Sequence, residues 1–225
     1  MSATKSRSKN PAARTGWGRY VESIKYAKHV LFHPFDGFWD LTHEKRGSLA
    51  AATTFLVLFL LTRVAQLMFT NFQFINAPLQ YINIFEQMAS ILLPFLILCL
   101  ANWSMTTLFD GKGCFSDIYI AMCYAMVPYT LIQLPMVFVS NFLSFDEAAF
   151  YNVLISFSNI WCIFLVFIGL MQVHDYSPSK TLIFLVVTVV GAMIIIFLLL
   201  VFFSLLGDAA SYFISLYREI AFRLY

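Results

Sequence analysis

Polar and apolar residues along this chain are not interleaved; they come in blocks. Five continuous apolar runs stand out, at 49–69, 88–108, 118–139, 152–173 and 181–206. Crossing a bilayer takes about 20 helical residues at about 1.5 Å each, and every run is that long. The runs are continuous rather than alternating, which argues against barrel strands. Backbone N–H and C=O groups in hydrocarbon must be satisfied within their own segment, so each run is predicted to be an α-helix. The expected fold is therefore an all-α integral membrane protein, a five-transmembrane-helix bundle. Residues 1–32 read as a basic tail, 33–206 as the membrane domain, and 207–225 as an amphipathic C-terminal tail.

Both flanks of the bundle carry the pattern of helices lying at the headgroup level. Between Trp17 and His29 bulky and basic groups alternate. The segment His33 to Asp40 sets Phe35, Phe38 and Trp39 beside Asp36 and Asp40, with Pro34 and Gly37 predicted to break any continuous helix. In the tail, Tyr212, Phe213, Leu216, Tyr217 and Ile220 recur at helical spacing, with Arg218, Glu219 and Arg223 elsewhere around the wheel.

Composition sharpens the picture. Of 225 residues, 60% are apolar and 12% charged, against about 25% charged in a soluble domain. So few charges could not cover a water-soluble globule of this length, and soluble enzyme folds fall away.

Charge placement gives direction. Residues 1–48 hold nine Lys/Arg (Lys5, Arg7, Lys9, Arg14, Arg19, Lys25, Lys28, Lys45, Arg46) against four acids. With the N-terminus in the cytoplasm, Lys112 and Lys180 also fall inside, whereas only Arg218 and Arg223 fall outside. The excess of inside cations predicts a cytoplasmic N-terminus and an external C-terminus. No signal-peptide pattern precedes the run at Leu49, so that run is expected to stay in the mature protein. A short basic tail is not the folded basic face that nucleic-acid binding requires.

Ionisable residues inside a membrane are expensive and usually functional. Arg63 is the clear case, near the outer end of the first span, and Glu86 at the start of the second is its expected partner in an ion pair. Spans two to five hold no Asp, Glu, Lys, Arg or His between their ends, which speaks against proton-coupled transport and voltage sensing. Pro128 and Pro135 interrupt the third span and free carbonyls near Tyr124 and Leu131. Ala121 and Ala125, four apart, make a small-residue stripe where another helix can approach, which makes span three the candidate bundle centre. Asp117 is placed to cap a helix beginning at Ile118, and Ser156 and Asn159 are candidates for hydrogen bonds across a helix contact.

Enzyme chemistry finds little footing. His43-Glu44-Lys45-Arg46-Gly47 opens like a zinc-binding HExxH but has glycine where the second histidine belongs. His33, Asp36, Asp40, His43 and Glu44 have the donor types of a metal site, but read more simply as polar groups at the headgroup level. There is no GxSxG, no Walker-A run and no GxGxxG. Glu147-Ala148-Ala149 begins a permease coupling string, but Val153 replaces its glycine. The four cysteines form no CxxC pair. No catalytic residue, cofactor or metal is expected.

The segment HPFDGFWDLTHEKR, His33 to Arg46, resembles the lead-in to the first span in bacterial members of the Yip (Ypt-interacting protein) family. Its carriers are Pro34, Phe35, Trp39 and Arg46. FSDIYIAMCYAMVPYTLIQLP, Phe115 to Pro135, is similar to that family's third span, with an aromatic-acidic start and then Tyr-Ala-x-x-Pro: Phe115, Asp117, Tyr124, Ala125 and Pro128. The joint from Trp161 through Gly169 to His174 and Ser177 is similar too. The resemblance covers residues 30–206 and implies five spans with a cytoplasmic N-terminus. Eukaryotic relatives are linked to Rab-type GTPases and vesicle traffic, but their Asp-Leu-Tyr-Gly-Pro tract is not present here. The bacterial branch implies a prokaryotic plasma membrane.

Three function classes follow. The leading expectation is a non-enzymatic scaffold or adaptor that recruits partners or shapes the bilayer from its cytoplasmic side. The second is an auxiliary subunit of a membrane transporter, and the third a membrane enzyme. Expected partners are the lipid bilayer and either another protein at the cytoplasmic face or a second copy of the chain.

Overall fold

The structure, a computed structural model, describes residues 16–74, 83–108 and 111–224. Two short helices come first, α1 (Gly16–Phe32) and α2 (Pro34–His43). Six more follow: α3 (Leu49–Phe69), α4 (Ile84–Leu108), α5 (Phe115–Ala125), α6 (Val127–Val139), α7 (Ala148–His174) and α8 (Pro178–Leu224). No strand occurs among the described residues. With α5 and α6 running on as one span, five segments are long and apolar enough to cross a bilayer. The basic residues Lys5, Arg7, Lys9 and Arg14 lie outside the described residues.

Span three is the centre of the bundle. Of its most apolar window 56% is buried, against 28% or less in the other four. Ile118, Cys123 and Ala125 have no exposed surface, and Ala121 is 4% exposed. Both α3 and α7 pack against α5, and Ala121 and Ala125 are buried on it, where a methyl side chain holds a neighbouring backbone apart least. α4 touches α5 and packs mainly on α8, which forms the edge of the bundle.

Proline places the break in span three. Met126 sits between α5 and α6 at φ −85°, ψ −6°, and its N–H turns back to Cys123 O. Pro128 has no N–H for the Tyr124 carbonyl, and its fixed φ suits the first turn of the next helix. Pro135 and Pro94 lie inside α6 and α4 without ending them.

Three sequence expectations are corrected. Asp117 does not cap α5. The helix starts earlier, at Phe115, with Cys114 in the cap position and no side chain closing it; Asp117 lies in the first turn, where its negative charge suits the helix dipole. Gly37 does not break a helix but sits inside α2: a Cβ there would come 2.7 Å from Val30 Cα, so glycine is what lets α2 fold back against α1. The only break in that segment is at His33, before Pro34. The C-terminal tail is not a separate helix either, but continues the last span. α8 runs unbroken for 47 residues, through Gly207, to a length of about 70 Å. One glycine in a helix costs about 1 kcal/mol, which does not stop it when strong helix formers flank it.

Candidate functional site

The ends of the spans at which α3 and α5 begin and α4 and α7 finish make up one face of the bundle. The α1–α2 hairpin is folded onto it. Its buried stripe is Ser23, Ala27 and Val30 on α1, spaced four and three apart as a helix face requires, with Gly37, Phe38 and Leu41 on α2. Phe38 is fully buried and lies against Gly169 of α7, where a Cβ would meet its ring at 3.1 Å. Gly47 likewise lets the chain pass Ile120 of α5.

A buried polar pair anchors the hairpin to the bundle centre. Tyr124 Oη donates to the backbone oxygen of Ser23 at 2.9 Å and lies 2.8 Å from Ser23 Oγ. Ser23 Oγ in turn donates to Arg46 O and accepts from Ser48 N, both at 2.9 Å. Ser48 then caps α3, its hydroxyl accepting from Ala51 N at 3.2 Å. One serine on α1 thus holds the third span, the loop after α2 and the start of the first span together.

Closer to the surface, Tyr26 Oη donates to Asp40 Oδ2 at 2.6 Å. The Arg46 guanidinium pairs with Glu44 at 2.6 Å, reaches Asp40 at 3.9 Å and lies 5.4 Å from the centre of the Tyr26 ring. Burial first, and then the bond to Asp40, push the Tyr26 phenol well above its usual 10. The last helix ends join through Asp175, which closes α7 in a left-handed conformation (φ 54°) that aspartate tolerates better than most residues. Its carboxylate lies 3.5 Å from His43 Nε2 and 3.2 Å from Lys112 Nζ, linking α2 and the α4–α5 loop.

Behind this face a second polar cluster ties α4, α7 and α8. His174 Nε2 bonds Asn102 Oδ1 at 3.0 Å, and Asn102 Nδ2 donates to Thr188 Oγ1 at 3.0 Å. Gly113 N donates to His174 Nδ1 at 3.4 Å, so Nδ1 carries the lone pair and Nε2 the proton. All three side chains are buried.

A third cluster lies deeper in the membrane. Arg63 Nη1 donates to Tyr129 Oη at 2.8 Å and to Gln66 Oε1 at 3.1 Å, and Tyr129 Oη donates to the same Gln66 oxygen at 2.9 Å. Gln66 Nε2 donates to Gln133 Oε1, and Gln133 Nε2 to Ser158 Oγ at 2.6 Å, with Asn159 Oδ1 at 3.4 Å. Every partner is supplied by α3, α6 or α7. Low-dielectric surroundings make such bonds hard to leave unmade.

The expected Arg63–Glu86 pair is therefore corrected. Arg63 faces α6, while Glu86 is exposed at the start of α4, a helix that touches α3 only slightly; the two form no ion pair among the described residues. Ser156 is also corrected: it is exposed, and Ser158 makes the bond to Gln133 in its place. Of the resemblance residues, Tyr124, Ala125 and Pro128 share the bundle centre. Arg46 joins the Tyr26–Asp40 group, Pro34 opens α2, and Phe35 and Trp39 point outward at 52% and 45% exposure. Of the residues with metal-ligand chemistry, His33 stacks on His29, His43 stacks on Trp39, and Asp40 and Glu44 are taken up by Tyr26 and Arg46. No three such groups converge among the described residues.

Ser23, Gln66, Gln133 and Asn102 were not found by reading the sequence for ionisable groups. Their signal was present: three uncharged amides, in the first, second and third spans, have the same need for partners as a charge, on a smaller scale.

Against known families, the Yip1 domain model matches residues 28–201. No curated protein and no solved structure matches the chain. The matched range begins within α1 and ends within α8, so it takes in most of the hairpin and four complete spans.

Proposed function

This chain belongs to the Yip1 domain family, and on that premise we propose that it is a non-enzymatic scaffold or adaptor, with the hairpin face as its docking surface for a protein partner. One observation carries this reading. The hairpin is fixed from beneath by Ser23, Phe38 and Tyr124, while its outer side presents Trp17, Phe32, Phe35 and Trp39 together with Lys25 and Lys28. A rigid platform with exposed aromatic and cationic groups suits recognition, because few side chains must be ordered on binding.

In this reading the hairpin face is cytoplasmic. The support is the concentration of Lys and Arg before the first span, which membrane insertion retains on the inner side. Five crossings then carry α8 to the opposite face. The lead-in segment from Pro34 to Arg46 supports a bacterial-type member in a prokaryotic plasma membrane. The polar groups inside the membrane bond one another, as anchors do, and this favours the scaffold over an auxiliary subunit of a transporter.

Crosslinking with mass spectrometry on the full chain in native membranes tests the proposal. Lys25→Glu with Lys28→Glu is expected to abolish a stoichiometric crosslinked partner while thermal unfolding in detergent stays unchanged. A partner pattern indifferent to these charges, or stabilisation of the purified protein by a small transported solute, overturns it.

A further inference from the structure

Between the start of α1, the turn joining α2 to α3 and the first turn of α5 lies an open groove of about 490 Å³. Small-molecule sites have about 300–1,000 Å³. Two cations, Arg19 and Lys45, and one carboxylate, Asp117, line it. Arg19 and Lys45 are exposed, and neither forms an ion pair among the described residues. Ser48 and Ser116 add hydroxyls to the wall. The groove sits where two membrane-spanning helices begin, which is the level of lipid headgroups.

We propose that this groove binds the headgroup of an amine-bearing phospholipid, of the phosphoethanolamine type. The phosphate lies between Arg19 and Lys45, and the ammonium faces Asp117. Two unpaired cations beside hydroxyl donors are chemistry for a phosphodiester. A carboxylate in the same wall is unfavourable for a plain anion but complementary to a zwitterion whose two charges are a few bonds apart. A phosphoglycerol headgroup leaves Asp117 facing no cation. A phosphocholine headgroup brings a cation with no N–H to donate. The site therefore selects by the pairing of charges, not by net charge, and it stands whether or not the hairpin face also docks a protein.

Native mass spectrometry of the full chain, offered equal amounts of phosphatidylethanolamine, phosphatidylglycerol and phosphatidylcholine, reads the preference directly. The expected result is a dominant phosphatidylethanolamine adduct. Arg19→Gln with Lys45→Gln is expected to weaken it more than about tenfold, since two charge-assisted contacts are lost, whereas Lys180→Gln, exposed and outside the groove, leaves it unchanged. Asp117→Asn is expected to shift the preference toward phosphatidylglycerol. Circular dichroism and thermal unfolding of each variant confirm that the fold is kept. Equal binding of the three lipids, equal losses with Lys180→Gln, or an unaltered preference in Asp117→Asn each overturns the proposal. Free phosphorylethanolamine displacing the lipid at equal concentration overturns it too, by making the ligand a soluble one.

Discussion

Tyr124, in the middle of the third span, and Ser23, on the helix before the first, share two short contacts, at 2.8 and 2.9 Å, across 101 positions of sequence. Tyr124 is 1% exposed and Ser23 equally so. The tyrosine of the family-like Tyr-Ala-x-x-Pro motif is thus a fastener for the hairpin. The proline behind it ends α5, so the ring is held at the top of a helix that stops within one turn.

Tyr124→Phe removes both contacts to Ser23, leaving its carbonyl only the bond within α1 and its hydroxyl one partner fewer. Stability is expected to fall by about 1–3 kcal/mol, and the hairpin should become sensitive to trypsin at Lys25 and Lys28 before the spans unfold. Ser23→Ala should weaken the same lock, and the two changes together should cost less than their sum. Thermal unfolding in detergent with timed proteolysis measures both.

Gly37→Ala places a methyl 2.7 Å from Val30 Cα, a backbone atom that cannot swing away. The hairpin has to open, at a cost of about 1–3 kcal/mol, as in other overpacked contacts. A cysteine at Ala27, buried in the folded hairpin, is expected to react with a maleimide much faster in this background. Unchanged labelling would show that α2 can shift without strain.

Gln133 bonds both Gln66 and Ser158. Gln133→Leu keeps the volume and removes the bonds, so the expected loss is modest, about 0.6–1.7 kcal/mol from hydrogen bonds across membrane helices. Tyr129→Phe takes from Arg63 a neutral acceptor and should cost more, because the cation is the harder group to leave unsatisfied. Reversible unfolding in mixed micelles ranks the two; the reverse order would mean that Arg63 reaches water.

Tyr26 gives the hairpin an alkaline limit. Its phenol titrates above 10 in the folded protein, mainly through burial and next through Asp40, and at about 10 once unfolded. The contribution is full below about pH 10. Above it the unfolded chain releases a proton that the folded one keeps, so stability falls as pH rises. Proteolysis of the hairpin between about pH 9 and 11 should accelerate in the native chain and respond less steeply in Tyr26→Phe.

Sequence alone carried the span count and much of the boundaries. The first run, 49–69, coincides with α3. The second, third and fourth ended where their helices end or within one residue, but began three or four residues late. Helix starts carry polar and aromatic residues, as in Phe115-Ser116-Asp117, which dilute a hydrophobic run without ending the helix.

What the amino-acid order determined was everything that lipid enforces one segment at a time: greasy stretches of the right length must be helices, and there are five. It did not determine which side of each helix meets protein, because Leu, Ile and Phe are equally at home against acyl chains and against a neighbouring helix. In water a helix shows its inner face by an apolar stripe; here that contrast is absent. Only the folded arrangement decided that Arg63 turns to Tyr129 and not to Glu86, that Ser158 and not Ser156 faces inward, and that Gly37 joins two helices instead of ending one. Those choices depend on which polar atoms arrive within about 3 Å of each other, and that is a property of three dimensions.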